Sequence, residues 1–160
     1  MAVGSVDSII LRAVTPSDEP FLRDVYASTR AEELKQVPWN DDQKREFTDM
    51  QFTAQDTYYR EHYPTARFLV IEVEGAAVGR LYIDRWETEI RIMDIALLPQ
   101  FRGAGTGSHL LRELQEEARA SKKALSIHVE KFNPALRLYD RLGFQSKQDK
   151  GVYLLMEWRP

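Results

Sequence analysis

Apolar positions recur along this chain with two periods, and the switches between them outline the elements. Residues 8–12 have strand character. Thr15-Pro16-Ser17-Asp18 then reads as a helix start, with Thr15 at the N-cap, Pro16 in the first turn and Asp18 closing a capping box. Phe21, Leu22, Val25 and Tyr26 give that helix a core-facing stripe. After Pro38, Asn40-Asp41-Asp42-Gln43 repeats the capping logic. Phe47, Met50, Ala54 and Tyr58 follow at spacings of three and four, predicting a second amphipathic helix with that stripe inward.

The period then changes. Residues 68–73 read as a strand, Glu74-Gly75 as a turn, and residues 78–84 as the return strand. A second turn at residues 86–89 leads into a long apolar run over 90–98. Three strands joined by short turns make an antiparallel meander. Leu110, Leu111, Leu114 and Ala118 mark a helix, residues 124–129 a strand, and residues 133–142 a helix stopped by Gly143. Residues 152–158 close the chain as a strand, with one or two strands after the last helix. The crossover helix between Leu98 and Ala124 makes its flanking strands parallel. The expected class is mixed α/β, a mostly antiparallel central sheet with one parallel pair and helices on both faces.

Composition narrows what such a fold can do. The 160 residues, 43% of them hydrophobic, suit one unit spanning 1–160, with no repeat or linker in sight. With 22 basic and 25 acidic side chains the net charge is −3, which argues against nucleic acid as the main partner. The absence of cysteine removes disulfides, thiol nucleophiles and thiolate metal sites. His62, His109 and His128 make no metal pattern, and no metal is expected. No apolar run nears the roughly 20 residues of a membrane helix, and residues 1–7 lack the basic start and apolar stretch of a signal peptide. A cytoplasmic protein without a membrane partner is the expectation.

The chemistry concentrates after the apolar run. Three of eight glycines fall within five residues, in Arg102-Gly103-Ala104-Gly105-Thr106-Gly107-Ser108, between a strand end and a helix start. Glycines there let backbone N–H groups turn inward and let a ligand approach with no Cβ in the way. The helix N-terminus adds unpaired N–H groups and partial positive charge, so the combination suits a phosphate. A dinucleotide fingerprint counted from Gly103 would end in glycine where Ser108 stands, and a Walker loop would need a lysine that no glycine here precedes. A turn shaped only for packing, or another nucleotide phosphate site, remains the alternative. What stands, Arg102-x-x-Gly105-x-Gly107, resembles the Arg/Gln-x-x-Gly-x-Gly/Ala motif of the GNAT superfamily of N-acetyltransferases.

A second segment, Asn133-Pro134-Ala135-Leu136-Arg137-Leu138-Tyr139-Asp140-Arg141-Leu142-Gly143-Phe144, is similar to that family's other signature. Ala135 is offset by one, while Asn133, Leu138, Tyr139, Gly143 and Phe144 keep their spacing. From the residues alone, Asn133 is an N-cap with Pro134 in the first turn, and Tyr139 could be a plain core aromatic.

The resemblance implies direct transfer of the acetyl group of acetyl-CoA, the cosubstrate, to a primary amine acceptor; a homodimer is admitted. It places the pyrophosphate on Arg102 to Ser108, with Asn133 also at the cofactor. Arg102, Lys131 and Arg137 are candidate phosphate partners, solvated surface being the alternative for the last two. The pantetheine arm would run beside Ile95, Ala96 and Leu97, one of whose amides serves the oxyanion, while Tyr139 acts as general acid to the departing thiolate. An aliphatic amine with a pKa near 10.4 is neutral in only about one molecule in a few thousand at pH 7, so its proton must be taken. Asp94, alone among apolar neighbours, is the candidate base or, equally, a structural ion pair with Arg91 or Arg80.

His128 and Glu130 are candidates for the acceptor pocket, with a satisfied strand-end polar pair as the alternative; His109 reads as solvated or structural. The resemblance also puts the first two helices and their loop on one wall of that pocket, here with Arg30, Glu32, Glu33, Lys35, Trp39, Asp41 and Asp42. A non-catalytic acyl-CoA-binding module on the same fold is the rival reading.

Overall fold

The computed structural model describes residues 8–160; residues 1–7, read above for the lack of a signal-peptide start, lie outside the described residues. Strand β1 (Ile9–Ala13) leads through a 3-10 turn at Pro16–Asp18 into α1 (Glu19–Leu34) and α2 (Asp41–His62). The meander β2 (Arg67–Val73), β3 (Ala76–Arg85) and β4 (Glu89–Leu97) follows. Then come α3 (Thr106–Ser121), β5 (Ala124–Glu130), α4 (Leu136–Arg141), β6 (Gln145–Asp149) and β7 (Tyr153–Trp158). The seven strands form one sheet in the order β1-β2-β3-β4-β5-β7-β6, antiparallel except for the β4–β5 pair.

Local chemistry sets the element ends. Asp18 accepts the Thr15 N–H at 2.7 Å, and Asn40 and Gln43 exchange side chain to backbone bonds at 2.8 and 2.9 Å, so both capping boxes form. Glu74 and Gly75 both adopt positive φ, the two-residue turn that matches the twist of the β2 and β3 strands.

Side chains alternate across the sheet. Leu81 and Ile83 face a core with Ile90, Ile92, Leu125 and Ile127, packed under Leu110, Leu111, Leu114 and Ala118 of α3. Their neighbours Arg80 and Tyr82 point the other way, toward Tyr26 of α1 and Tyr59 of α2. A smaller cluster of Leu22, Tyr26 and Phe52 joins α1 to α2. β3 is therefore covered on both faces.

Two expectations are corrected. The stripe expected to face inward on α2 largely does not: Met50 is 62% exposed and Ala54 is exposed, while Thr48 and Phe52 are buried. The inward face of α2 meets a cavity rather than the core, so it carries polar and aromatic groups that an apolar count passes over. The last helix begins at Leu136, not Asn133; Asn133 instead accepts the Ala135 N–H at 2.8 Å in a turn ahead of it. Of the one or two strands expected after the last helix, both form; β6, the first of them, has the sequence Gln-Ser-Lys-Gln-Asp, exposed throughout and without an apolar alternation to announce it.

Candidate active site

β4 and β5 pair only from Glu89 to Ile92 against Ala124 to Ile127. Beyond that point β4 keeps its pairing with β3 but, among the described residues, has no strand partner on the β5 side, so its backbone from Met93 to Leu97 forms one wall of a wedge. A bulge starts the divergence: Ile83 pairs with Ile92 and Tyr82 with Asp94, leaving Met93 as the extra residue. Gly79 permits the close β3–β4 approach, because a Cβ there would collide with the Ala96 carbonyl and come within 2.8 Å of Leu97 Cδ2.

A cavity of about 370 Å³ opens at this wedge. It brings together six of the residues singled out in the sequence: Asp94 and Ile95 from β4, His128 and Glu130 from β5, and Asn133 and Tyr139 from the following segment. Ala96 and Leu97 continue β4 beyond it. Of the acceptor-wall residues expected from α1, α2 and their loop, Arg30 lines the cavity; Glu32, Glu33, Lys35, Trp39, Asp41 and Asp42 do not. Sequence reasoning missed Gln55, Tyr58 and Tyr59 of α2, Tyr63 just past its end, and Lys150 and Tyr153 near the β6–β7 turn. The Tyr58, Tyr59 and Tyr63 cluster at the end of α2 was the available signal.

Tyr139 is almost fully buried, its ring edge-on to Phe144 at 5.6 Å. Burial, and then the nearby charge of Asp94, push its phenol above the ordinary value, so it holds its proton at neutral pH. Tyr59 is raised in the same direction, again by burial first and then by Asp94.

Asp94 realises the ion-pair alternative: Oδ2 accepts from Arg80 Nε at 2.5 Å. Arg80 also donates to Gln55 Oε1 at 2.9 Å and stacks on Tyr82 at 4.7 Å. Asp94 nevertheless remains 25% exposed and lines the cavity. Arg91 is taken up by Glu89 and Ser126. Glu130 meets Arg30 at 2.8 Å. His128 lies between Arg91 and Lys150; burial first, then these two cations, hold its ring below the ordinary value.

The glycine loop lies outside the cavity, past the end of β4. Gly103 and Gly105 have φ of +82° and +87°, Gly105 is the N-cap of α3, and added Cβ atoms at Gly103, Gly105 and Gly107 would meet open space. The first intrahelical bond is His109 N–H to Gly105 C=O, so the N–H groups of Thr106, Gly107 and Ser108 precede the helical ladder. Arg102 is exposed and donates Nε to the Leu97 carbonyl at 3.0 Å, tying the loop to the strand. Lys131 pairs with Asp149 at 2.7 Å, Arg137 is exposed, and His109 pairs with Glu113. The loop therefore offers amide donors and a helix dipole to an anion, and the wedge offers strand backbone, a buried phenol and a carboxylate.

The family model for the acetyltransferase (GNAT) family matches residues 26–144. A Bacillus subtilis (strain 168) protein, provisionally named as a ribosomal protein bS18-alanine N-acetyltransferase, is 34% identical over 97 residues. That match covers 58% of this chain and 64% of the relative, just under two thirds of its length. Among solved structures, the PaiA N-acetyltransferase of Thermoplasma acidophilum in complex with coenzyme A superposes with a TM-score of 0.72 at 14% identity, covering 96% of this chain and 99% of that one. An acetyltransferase from Thermus thermophilus gives 0.69 at 19% identity, covering 96% and 97%. The structural likenesses speak to the fold and the family match to descent: this chain belongs to the acetyltransferase (GNAT) family.

Proposed function

We propose that this protein transfers the acetyl group of acetyl-CoA directly to a primary amine bound in the cavity. The observation that carries this reading is the parting of β4 from β5 after Ile92 and Ile127, with Tyr139 buried at the opening. A thioester arm fits such a wedge as an added strand would, bonding to backbone beside Ile95, Ala96 and Leu97. The amides of Gly103 to Ser108 and the α3 N-terminus receive the pyrophosphate. Arg102 and Asn133 flank the same path.

The amine loses a proton and attacks the carbonyl carbon, an amide on β4 stabilises the oxyanion, and the C–S bond then breaks. Tyr139 donates to the departing sulfur as general acid. Its phenol lies above a free thiol, near 8.5, so the donation accompanies charge development on sulfur rather than preceding it. Asp94, directly or through water, takes the amine proton. His128 and Glu130 belong to the acceptor side. Relatives by name or fold that carry coenzyme A, or are named for N-acetylation, support the cosubstrate.

The ion pair of Asp94 with Arg80 favours a second reading, a module that binds acyl-CoA without turning it over. Tyr139→Phe separates the two. Kinetics of thiol release should show a fall in kcat of about 10²–10⁴-fold with acetyl-CoA affinity within twofold. Undiminished turnover would remove Tyr139 from the chemistry, and no turnover in wild type with any amine would support the binding module.

A further inference from the structure

The charges around the cavity pair off with one exception. Arg30 is matched by Glu130, Asp94 by Arg80 and Arg91 by Glu89, at 2.8, 2.5 and 2.9 Å. Lys150 has no carboxylate within ion-pair distance among the described residues. Its Nζ lies 3.1 Å from His128 Nε2, while Arg91 Nη1 lies 3.4 Å from Nδ1 on the other side of the ring.

That arrangement is short of an acceptor. Lysine and arginine carry donors only, and a neutral imidazole accepts at one nitrogen, so the ring cannot satisfy both cations. The carboxylates nearby are committed: Glu89 to Arg91 and Ser126, and Asp149 to Lys131 and the Gly151 N–H. His128 registers the imbalance, since Arg91 and Lys150 add to burial in disfavouring its protonation and Glu89 only partly opposes them. A surface lysine normally extends its ammonium into water. Lys150 is exposed too, yet its ammonium lies against a half-buried ring that lines the cavity.

The other walls are aromatic. Five of the seven tyrosines border this one cavity, among them Tyr58 on α2, Tyr63 just past its end and Tyr153 on β7. Such a wall takes a flat or aliphatic body and offers hydroxyls to its polar ends.

We infer that the acceptor is a small amine that also bears an anionic group, a carboxylate or a phosphate, received by Lys150 with His128 and Arg91 behind it. Its body lies against the tyrosines, and its amine points toward Asp94 and Glu130. The anion supplies the charge-assisted acceptor that the Lys150–His128–Arg91 row lacks. This rests on the acetyltransferase reading.

Matched acceptors test it. Thiol release from acetyl-CoA is followed with tyrosine against tyrosinamide, phosphoethanolamine against ethanolamine, and a C-terminally amidated peptide with a free N-terminal alanine. At least one anionic member should exceed its neutral partner about tenfold or more in kcat/KM, an advantage of about 1.4 kcal/mol. The pair that does so distinguishes carboxylate from phosphate. The ratio should fall toward one in Lys150→Gln and return in Lys150→Arg. Neutral members equal to or better than anionic ones, a ratio untouched in Lys150→Gln, or turnover of the peptide alone would overturn the inference.

A second readout does not depend on turnover. The His128 ring, followed by NMR, should titrate at higher pH when the preferred anionic member is added without acetyl-CoA, and Lys150→Gln should abolish that change. If no anionic amine shifts the ring or is acetylated, yet acetyl-CoA binds, this inference fails while the acetyltransferase reading stands. If acetyl-CoA itself does not bind, that reading fails and takes this one with it.

Discussion

Arg80 Nε and Asp94 Oδ2 meet at 2.5 Å, joining a guanidinium whose side chain is 2% exposed to a carboxylate on the cavity wall. The pair spans the β3–β4 bulge, where Tyr82 pairs with Asp94 and Met93 is extra. A buried guanidinium fixes the strand at the point where it leaves its parallel neighbour. Asp94 therefore has a structural duty that accompanies any part in proton transfer.

Removing the carboxylate should strand the buried charge. Asp94→Ala is expected to cost about 3–5 kcal/mol in denaturant unfolding. Adding Arg80→Met should recover part of that loss, giving a coupling above about 1 kcal/mol in the double-mutant cycle. Additive losses would mean that the two groups do not depend on each other. Asp94→Asn keeps an oxygen for Arg80 while removing the proposed base, so kcat should fall by about 10²-fold or more with a smaller loss of stability. Full activity in that variant would leave Asp94 structural alone.

Gly79 should be needed at the wedge specifically. Gly79→Ala forces a Cβ against Ala96 and Leu97, with an expected cost of about 1–3 kcal/mol. It should also weaken acetyl-CoA binding, read by calorimetry, because it displaces the strand edge proposed to receive the arm. Gly75→Ala, strained by φ of +82° but with open space around it, is the comparison. It should lose about 1–2 kcal/mol while keeping acetyl-CoA affinity. Equal effects on affinity from both substitutions would dissociate Gly79 from the site.

Most of the sheet order was legible because apolar alternation and turn residues agree with each other from β2 to β5. The glycine loop was legible for the same reason: its positive φ values call for residues that the composition makes conspicuous. Other parts were hidden. The inward face of α2 carries Thr48, Gln55 and Tyr59, so of the apolar stripe Phe47, Met50, Ala54 and Tyr58 only the half-exposed Tyr58 borders the cavity, and Met50 and Ala54 face outward. Gly79 is a lone glycine inside a strand, a pattern that fits a close backbone approach but does not say which neighbouring strand makes it. Lys150 reaches the site from the β6–β7 turn through tertiary proximity to His128, which no local pattern encodes.

Acid should cost this fold stability through His128. Its native ring is held below the ordinary value by burial and by Arg91 and Lys150, so the unfolded chain takes up a proton first, near pH 6.5. The contribution is present above that pH and is lost as pH falls through the lower native value. Unfolding free energy measured from pH 8 to pH 5 should decline more steeply in wild type than in His128→Asn, with Lys150→Gln between them. Parallel curves for the three proteins would contradict this account.

Whether acetyl-CoA occupies the glycine loop and the wedge is tested most directly by thermal unfolding with and without it. At a concentration about 100-fold over the dissociation constant, binding contributes about 2.7 kcal/mol. That corresponds to roughly 5–10 °C for a chain of this size. Gly107→Asp is the control, since Gly107 lies in the first turn of α3, where added charge suits the helix dipole but repels a phosphate. A rise in the wild-type midpoint that Gly107→Asp removes, with its own ligand-free midpoint preserved, is the predicted result. No rise in wild type, or an equal rise in both proteins, would contradict the account.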